Sequence, residues 1–283
     1  MTSFRSVTTV RTSRPTTDGA GVSLRRAFSR SMVETLDPFL LLDNFGSEVP
    51  EDYLAGFPMH PHRGIETVTY VLEGEVDHED SIGNRGTIRA GEVQWMTAGR
   101  GILHQEMPRR SERLFGFQLW VNLPRTAKMM PPRYRDIRKE EIPEVKLGRG
   151  SSVKVIAGRY GKAEGPVKDL VVPVSFYDVR LGPGDRIDVL TDKGHSSFVF
   201  VYMGQAAFGP NEGTIVGTQQ LGVLGKGEIV TARAGPGGTM FIMATGRPLR
   251  EPVAWGGPIV MNTQDELEKA YDELEKGTFI DTR

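Results

Sequence analysis

Alternation of apolar and polar residues with period two, punctuated by glycine turns, dominates this chain. Thr67-Val68-Thr69-Tyr70-Val71-Leu72 alternates and is rich in β-branched residues, and Glu73-Gly74-Glu75 follows it as a turn. Ala90-Gly91-Glu92 makes a second turn before Val93-Gln94-Trp95-Met96. Because successive side chains of a strand point to opposite faces, such runs predict half-buried strands of an antiparallel unit. A helical period is found near the end, where Leu267, Ala270, Tyr271 and Leu274 recur at helix spacing. Thr263 and Glu266 are placed as a capping box and Gly277 as a stop. The stripe predicts a helix bracing the β units.

The strand pattern is written twice. TVTYVLEGEV has a counterpart in FVFVYMGQAA beginning at Phe198, and AGEVQWMTAGRGI has one in KGEIVTARAGPGG beginning at Lys226. Aligning Gly74 with Gly204 and Gly91 with Gly227 gives offsets of 130 and 136, a drift that one loop insertion explains. Two copies of one barrel are therefore expected. Between them Pro131 to Gly150 breaks the pattern, with Pro131-Pro132, the charged run Asp136 to Glu141 and a Gly-Arg-Gly end. The expected organisation is a barrel over 1–135, a linker over 136–150, and a second barrel with the terminal helix over 151–283, an all-β fold.

Length, charge and cysteine content narrow the classes. A chain of 283 residues suits about two domains, each large enough for its own core. A net charge of −1 gives no bulk attraction to nucleic acid, and zero cysteines exclude disulfides. The start MTSFRSVTTVRTSRPT lacks an apolar leader core and no apolar run approaches membrane-helix length, so a cytoplasmic monomer without membrane partner is expected. Arg5, Arg11, Arg14, Arg25, Arg26 and Arg30 stand against only Asp18 in the first thirty residues, a pattern read as a solvated strand face.

Candidate chemistry lies in two short segments, HPHRGIETVTY with His60 and His62, and GILHQEMP with His104 and Glu106. Residues two apart on a strand share a face, so each pair can converge on one point, and two such strands facing each other across a barrel would close a site. Imidazoles with one carboxylate suit iron(II), manganese, nickel, copper or zinc, and the absence of cysteine argues against a structural thiolate zinc. The second copy tests this internally: Leu190 and Asp192 align with His60 and His62, and Met240 and Ile242 with His104 and Glu106. One functional site in a duplicated scaffold accounts for that loss. His195 falls in a turn and reads as a surface residue, and His78 lies in an acidic hairpin read as solvated.

HPHRGIETVTYVLEGEV, GEVQWMTAGRGILHQEMP, PLREPV and GPIVMNTQDE together resemble the pirin family, bicupins of the cupin superfamily, over nearly the whole chain. The resemblance implies two jelly-roll-like, double-stranded β-helix barrels and one divalent metal, iron(II) first and other first-row ions after it. Its ligands would be His60, His62, His104 and Glu106. General cupins instead use the carboxylate here found at Glu66, whose parity with 60 and 62 on a regular strand makes it the alternative ligand or an outer partner of the imidazoles. The loop also departs from the general motif, with Thr97 where a proline is usual. Pirins resemble quercetinases, which implies a dioxygenase opening a flavonol ring with O2, Glu106 taking the substrate proton and Glu66 as fallback. The alternative implied is an iron-dependent, redox-sensing regulator binding a transcription factor or a metabolic enzyme.

Overall fold

The computed structural model describes residues 3–148 and 150–280. Met1, Thr2, Arg149 and residues 281–283, which the expected domain spans included, lie outside the described residues. The chain divides into two compact units, and both are built of antiparallel strands. Strand follows alternation throughout: Ile65–Glu73 and Val93–Thr97 form where the pattern predicts them, and Gly74 turns the first into Glu75–Asp80. Among the described residues no helix is long and apolar enough to cross a membrane.

One unit comprises Pro15–Ser31, Phe39–Lys139 and Leu249–Arg283. Its larger sheet has seven strands in the order Arg133–Ile137, Val93–Thr97, Ile65–Glu73, Leu114–Asn122, Phe39–Ser47, Val22–Phe28, Arg14–Asp18. Its smaller sheet has four, in the order Phe57–His62, Ile102–Pro108, Glu75–Asp80, Arg85–Arg89. Val22, Leu24, Phe45, Val71, Val76, Ile88 and Leu114 from both sheets bury one apolar cluster. At about 25 cal/mol per Å² of apolar surface, such cross-sheet packing is the main force holding the sheets face to face.

The other unit comprises Met1–Arg14, Met32–Pro38 and Glu140–Pro248. Its nine-stranded sheet runs Val7–Thr12, Gln220–Leu224, Ser196–Phe208, Ile229–Gly246, Val174–Leu181, Ser151–Ala157, Glu144–Gly148, with Arg186–Leu190 and Thr214–Gly217 paired beside this path. Val153, Val155, Val179, Val199, Val201, Phe208, Phe241 and Met243 fill its interior. Arg5 is buried here rather than solvated, its guanidinium donating to Thr191 Oγ1, Gly225 O, Asp192 O and His195 O at 2.7–2.9 Å.

These boundaries differ from the expected 1–135, 136–150 and 151–283. The first strand pairs with Gln220–Leu224, so it counts with the later half. The supposed linker is ordered pairing: Arg133–Ile137 lies against Val93–Thr97, and Glu144–Gly148 against Ser151–Ala157. Residues 249–280 pack in the unit of Phe39–Lys139, held by Arg63, whose guanidinium also donates to Phe279 O at 3.0 Å, and by Lys128. Arg63 pairs with Glu273 at 2.7 Å, and the buried Lys128 ammonium donates to Gly64 O, Asn122 Oδ1 and Val260 O at 2.8–2.9 Å. Burial lowers that lysine to about 7. The helix Gln264–Glu275 forms with its capping box, and instead of bracing two barrels it spends Leu267 and Ala270 on Ile259, Met261 and Phe279 of its own unit.

Gly64 turns the chain between Phe57–His62 and Ile65–Glu73 at φ +78°, where a Cβ would run into the Val260 carbonyl. Gly64→Ala is expected to lower the stability of the metal-free protein by on the order of 3 kcal/mol. Urea unfolding of the two proteins checks this; equal midpoints would show that the turn relaxes freely.

Candidate metal centre

Phe57–His62 is the edge strand of the four-stranded sheet, which is why its sequence tolerates Pro58 and Pro61: an edge position has no partner waiting for the missing N–H. His60 sits directly opposite His104 on the neighbouring strand, and His62 lies two residues beyond, on the same face. The two ligand strands are thus hydrogen-bonded neighbours in one sheet, and the expectation that they face each other across the barrel is corrected. A bulge follows, where Glu106 pairs with Phe57.

Backbone carbonyls set the direction of two imidazoles. His60 Nδ1 lies 2.8 Å from Pro58 O, and His62 Nδ1 lies 3.0 Å from Pro258 O. A carbonyl can only accept, so both Nδ1 atoms carry the proton, and in the neutral ring form each Nε2 presents a lone pair. Those two Nε2 atoms are 3.1 Å apart. His104 Nδ1 contacts the Tyr134 hydroxyl at 3.1 Å, and its buried Nε2 has no partner. The donor atoms of His60, His62 and His104 lie within 4.8 Å of one another, the one such cluster among the described residues. Burial, then the charge of His60, lowers His62 to about 3, and burial above all holds His104 well below the usual imidazole range. Three clustered imidazoles, one with an orphaned ring nitrogen, fit a borderline transition-metal cation.

The two carboxylates separate by face. Glu106 shares the inward face of Ile102–Pro108 with His104 but stands outside the histidine cluster; its Oε1 accepts from Thr69 Oγ1 at 2.7 Å. Burial raises its pKa, and the Thr69 hydrogen bond opposes the shift. Glu66 is fully buried on the other face of Ile65–Glu73, accepting from Thr97 Oγ1 at 2.6 Å, whereas Thr69, of opposite parity, points to Glu106. The expected parity of 60, 62 and 66 fails because the Gly64 turn ends one strand and starts another. Glu66 therefore partners no imidazole.

Two residues around the histidines were missed or misread. His78 is 4% exposed rather than solvated, pairs across from Glu106, and stacks on Tyr134 with ring centroids 5.6 Å apart. Room for it exists because Gly86 lies opposite: a Cβ there would approach His78 Nε2 to 2.6 Å. Tyr134 falls in the segment read as a break; its signal was the polar-aromatic alternation of Arg133-Tyr134-Arg135-Asp136.

A cavity of about 710 Å³ opens on His60 and His62, within the size range of small-molecule sites. Leu24, Leu41, Phe45, Phe57, Leu114 and Trp120 form much of its wall, and Arg30 lies over Trp255 at 5.3 Å beside it.

Two cupin-type units, of which one gathers three imidazoles, define a bicupin with a single candidate metal centre. The chain belongs to the pirin family: the pirin model matches residues 21–121 and the model of the pirin C-terminal cupin domain matches 176–280. A Pseudomonas aeruginosa protein provisionally named quercetin 2,3-dioxygenase is 43% identical over 98% of this chain and 99% of its own length. Human pirin is 41% identical over 95% and 92%. The crystal structure of quercetin 2,3-dioxygenase from Acinetobacter baumannii matches with a TM-score of 0.90 and 34% identity over 97% of this chain and 98% of that one.

Loading with iron(II) under nitrogen is expected to give one ion per chain, lost in His62→Ala and His104→Ala and retained in Glu66→Gln. Elemental analysis decides; an empty Glu66→Gln protein that still folds would overturn the face assignment. A pH effect follows from His62. Unfolded, it takes a proton near 6.5; folded, only near 3, so in that window the unfolded state binds more protons. Stability of the metal-free protein should fall by a few kcal/mol as pH drops through that window, and His62→Gln should flatten the slope. Denaturation curves at stepped pH measure it, and an unchanged slope in the variant would contradict the assignment.

Proposed function

We propose that this protein is a metal-dependent dioxygenase that opens the central ring of a flavonol-type substrate with O2 and loss of carbon monoxide. The observation that carries the proposal is a cluster of three imidazoles, two of which line an apolar-walled cavity of about 710 Å³. A divalent first-row ion, iron(II) by preference, held by His60, His62 and His104 with Glu106 as carboxylate donor, would supply Lewis acidity at the substrate's enol-ketone and the means of using O2. The relatives named for quercetin dioxygenation support the same substrate class.

The remaining work falls to the chain. Glu106 is the base for the proton of the 3-hydroxyl. Burial raises its affinity for that proton, and Thr69 steadies its Oε1 at 2.7 Å, so the carboxylate is both oriented and a stronger base than an exposed glutamate. Trp120, edge-on to His62 at 5.1 Å between ring centroids, and Phe45 keep bulk water from the enol once the ring is seated. Tyr134, whose phenol is pushed up by burial and then by Glu106, Asp80 and Asp136, stays protonated and fixes the His104 ring.

Flavonols with a free 3-hydroxyl should be consumed by the iron-loaded protein in air with matching oxygen uptake, and analogues lacking that hydroxyl should be inert. Glu106→Gln should lower turnover by about a hundredfold or more. An oxygen electrode with chromatography of products reads both. Iron-loaded protein that consumes no flavonol in air, while oxidation of its metal changes binding to another protein, would replace this reading with the regulatory one.

A further inference from the structure

The sheet opposite the histidines carries a polar row of which the reaction above uses only Thr69. Register sets Arg26 against Asp43, Asp43 against Gln118, Gln118 against Thr69, and Thr69 against Gln94, so five polar side chains form one row across five adjacent strands. The rows on either side are largely apolar: Leu24, Phe45, Gly116 and Val71 on one, Leu41, Trp120 and Thr67 on the other. Arg26, Asp43, Gln118 and Thr69 all line the cavity. Arg26 grips Asp43 through Nε to Oδ1 at 2.8 Å and Nη2 to Oδ2 at 2.7 Å, and Nη2 also reaches Asp18. Thr69 Oγ1 lies 2.6 Å from the Gln118 side-chain amide.

Isolated polar groups in an apolar wall are costly unless something bonds to them. These are only part-satisfied by one another. The single hydroxyl proton of Thr69 goes to Glu106, so Gln118 meets Thr69 Oγ1 with one amide N–H and keeps its other N–H for a ligand, and each Asp43 oxygen keeps a lone pair beyond the one Arg26 uses. At about 4.8 Å between strands, the row from Thr69 to Arg26 extends about 14 Å, a length matching a three-ring polyphenol. We infer that Asp43 and Gln118, with Arg26 holding Asp43 in place, are the specificity-determining residues of the cavity and recognise phenolic hydroxyls on the rings remote from the histidines. A phenol donates to Asp43 and accepts from Gln118, while its ring faces lie against Phe45 on one side and Leu41 and Trp120 on the other. The inference rests on the flavonol reading for its ligand, and it adds that bare enol-ketones are poor ligands and outer-ring polyphenols good ones.

The test is an anaerobic titration of metal-loaded protein, followed by tryptophan fluorescence, with quercetin and with 3-hydroxyflavone. The two share the enol-ketone, and only quercetin has outer-ring hydroxyls. The native chain should bind quercetin about tenfold or more tightly, as two hydrogen bonds of ordinary net strength give. Gln118→Met, close in volume but without the amide, should cut that preference by about threefold or more, the share of one of the two bonds, while leaving metal content and 3-hydroxyflavone affinity as they were. Equal affinities in the native chain, no binding of either compound, or a full preference surviving in Gln118→Met and Asp43→Asn would each overturn the proposal. Admitting air afterwards separates the two claims: bound quercetin that persists counts against the oxygenase alone, and turnover without preference counts against the row alone.

Discussion

Two backbone carbonyls decide what this protein can hold. Pro58 O and Pro258 O occupy the Nδ1 protons of His60 and His62 and so aim both Nε2 lone pairs at one place, 3.1 Å apart. Two lone pairs at that distance do not attract; a cation between them would. Protonation is a poor substitute because both His62 and His104 are buried, and charging a buried imidazole costs its lost hydration. Several otherwise unrelated features serve this one constraint. Prolines sit on an edge strand, a glycine turns at 64 under the Val260 carbonyl, and Lys128 and Arg63 pin the terminal segment that brings Pro258 to the site.

The seven-stranded sheet answers the histidine sheet with a different kind of order. Its inner face places one polar row between apolar ones, and the Thr69–Glu106 hydrogen bond ties that row to the strand bearing His104. The nine-stranded unit uses the same strand chemistry and, among the described residues, gathers no cluster of metal donors, its interior taken up by Val, Phe and Met side chains. Among the described residues, both units share strand packing, and the one cluster of possible metal donors lies in the unit of Phe39–Lys139.

The sequence carried the local half of this arrangement. Alternation located the strands, the capping box located the helix, and the HxH and HxE spacings selected the three imidazoles now gathered together. What it could not carry is set by register and by distant pairing. Glu66 shared parity with His62 only if the strand ran unbroken, and the Gly64 turn resets the face. Pro258 lies 196 residues from His62 and reaches it through the terminal segment, which no local pattern places. Asp43 interrupts the apolar run Phe39 to Phe45, and Gln118 the strand Leu114–Asn122, so each was visible as an oddity; their alignment into one row with Arg26 was not. His78 looked solvated because its neighbours are acidic, although Asp80 spends its carboxylate on Ile82 N, Asn84 N and Asn84 Nδ2 in closing the hairpin.

Long-range nitrogen-15 NMR of the histidine rings in metal-free protein at neutral pH tests the central claim most directly, because it reports which ring nitrogen carries the proton. The account predicts a proton on Nδ1 of both His60 and His62, as their contacts to Pro58 O and Pro258 O require, with Nε2 bare at each. An Nε2–H tautomer at either residue would contradict it, because the two lone pairs would then not converge and no carbonyl would be preparing the site.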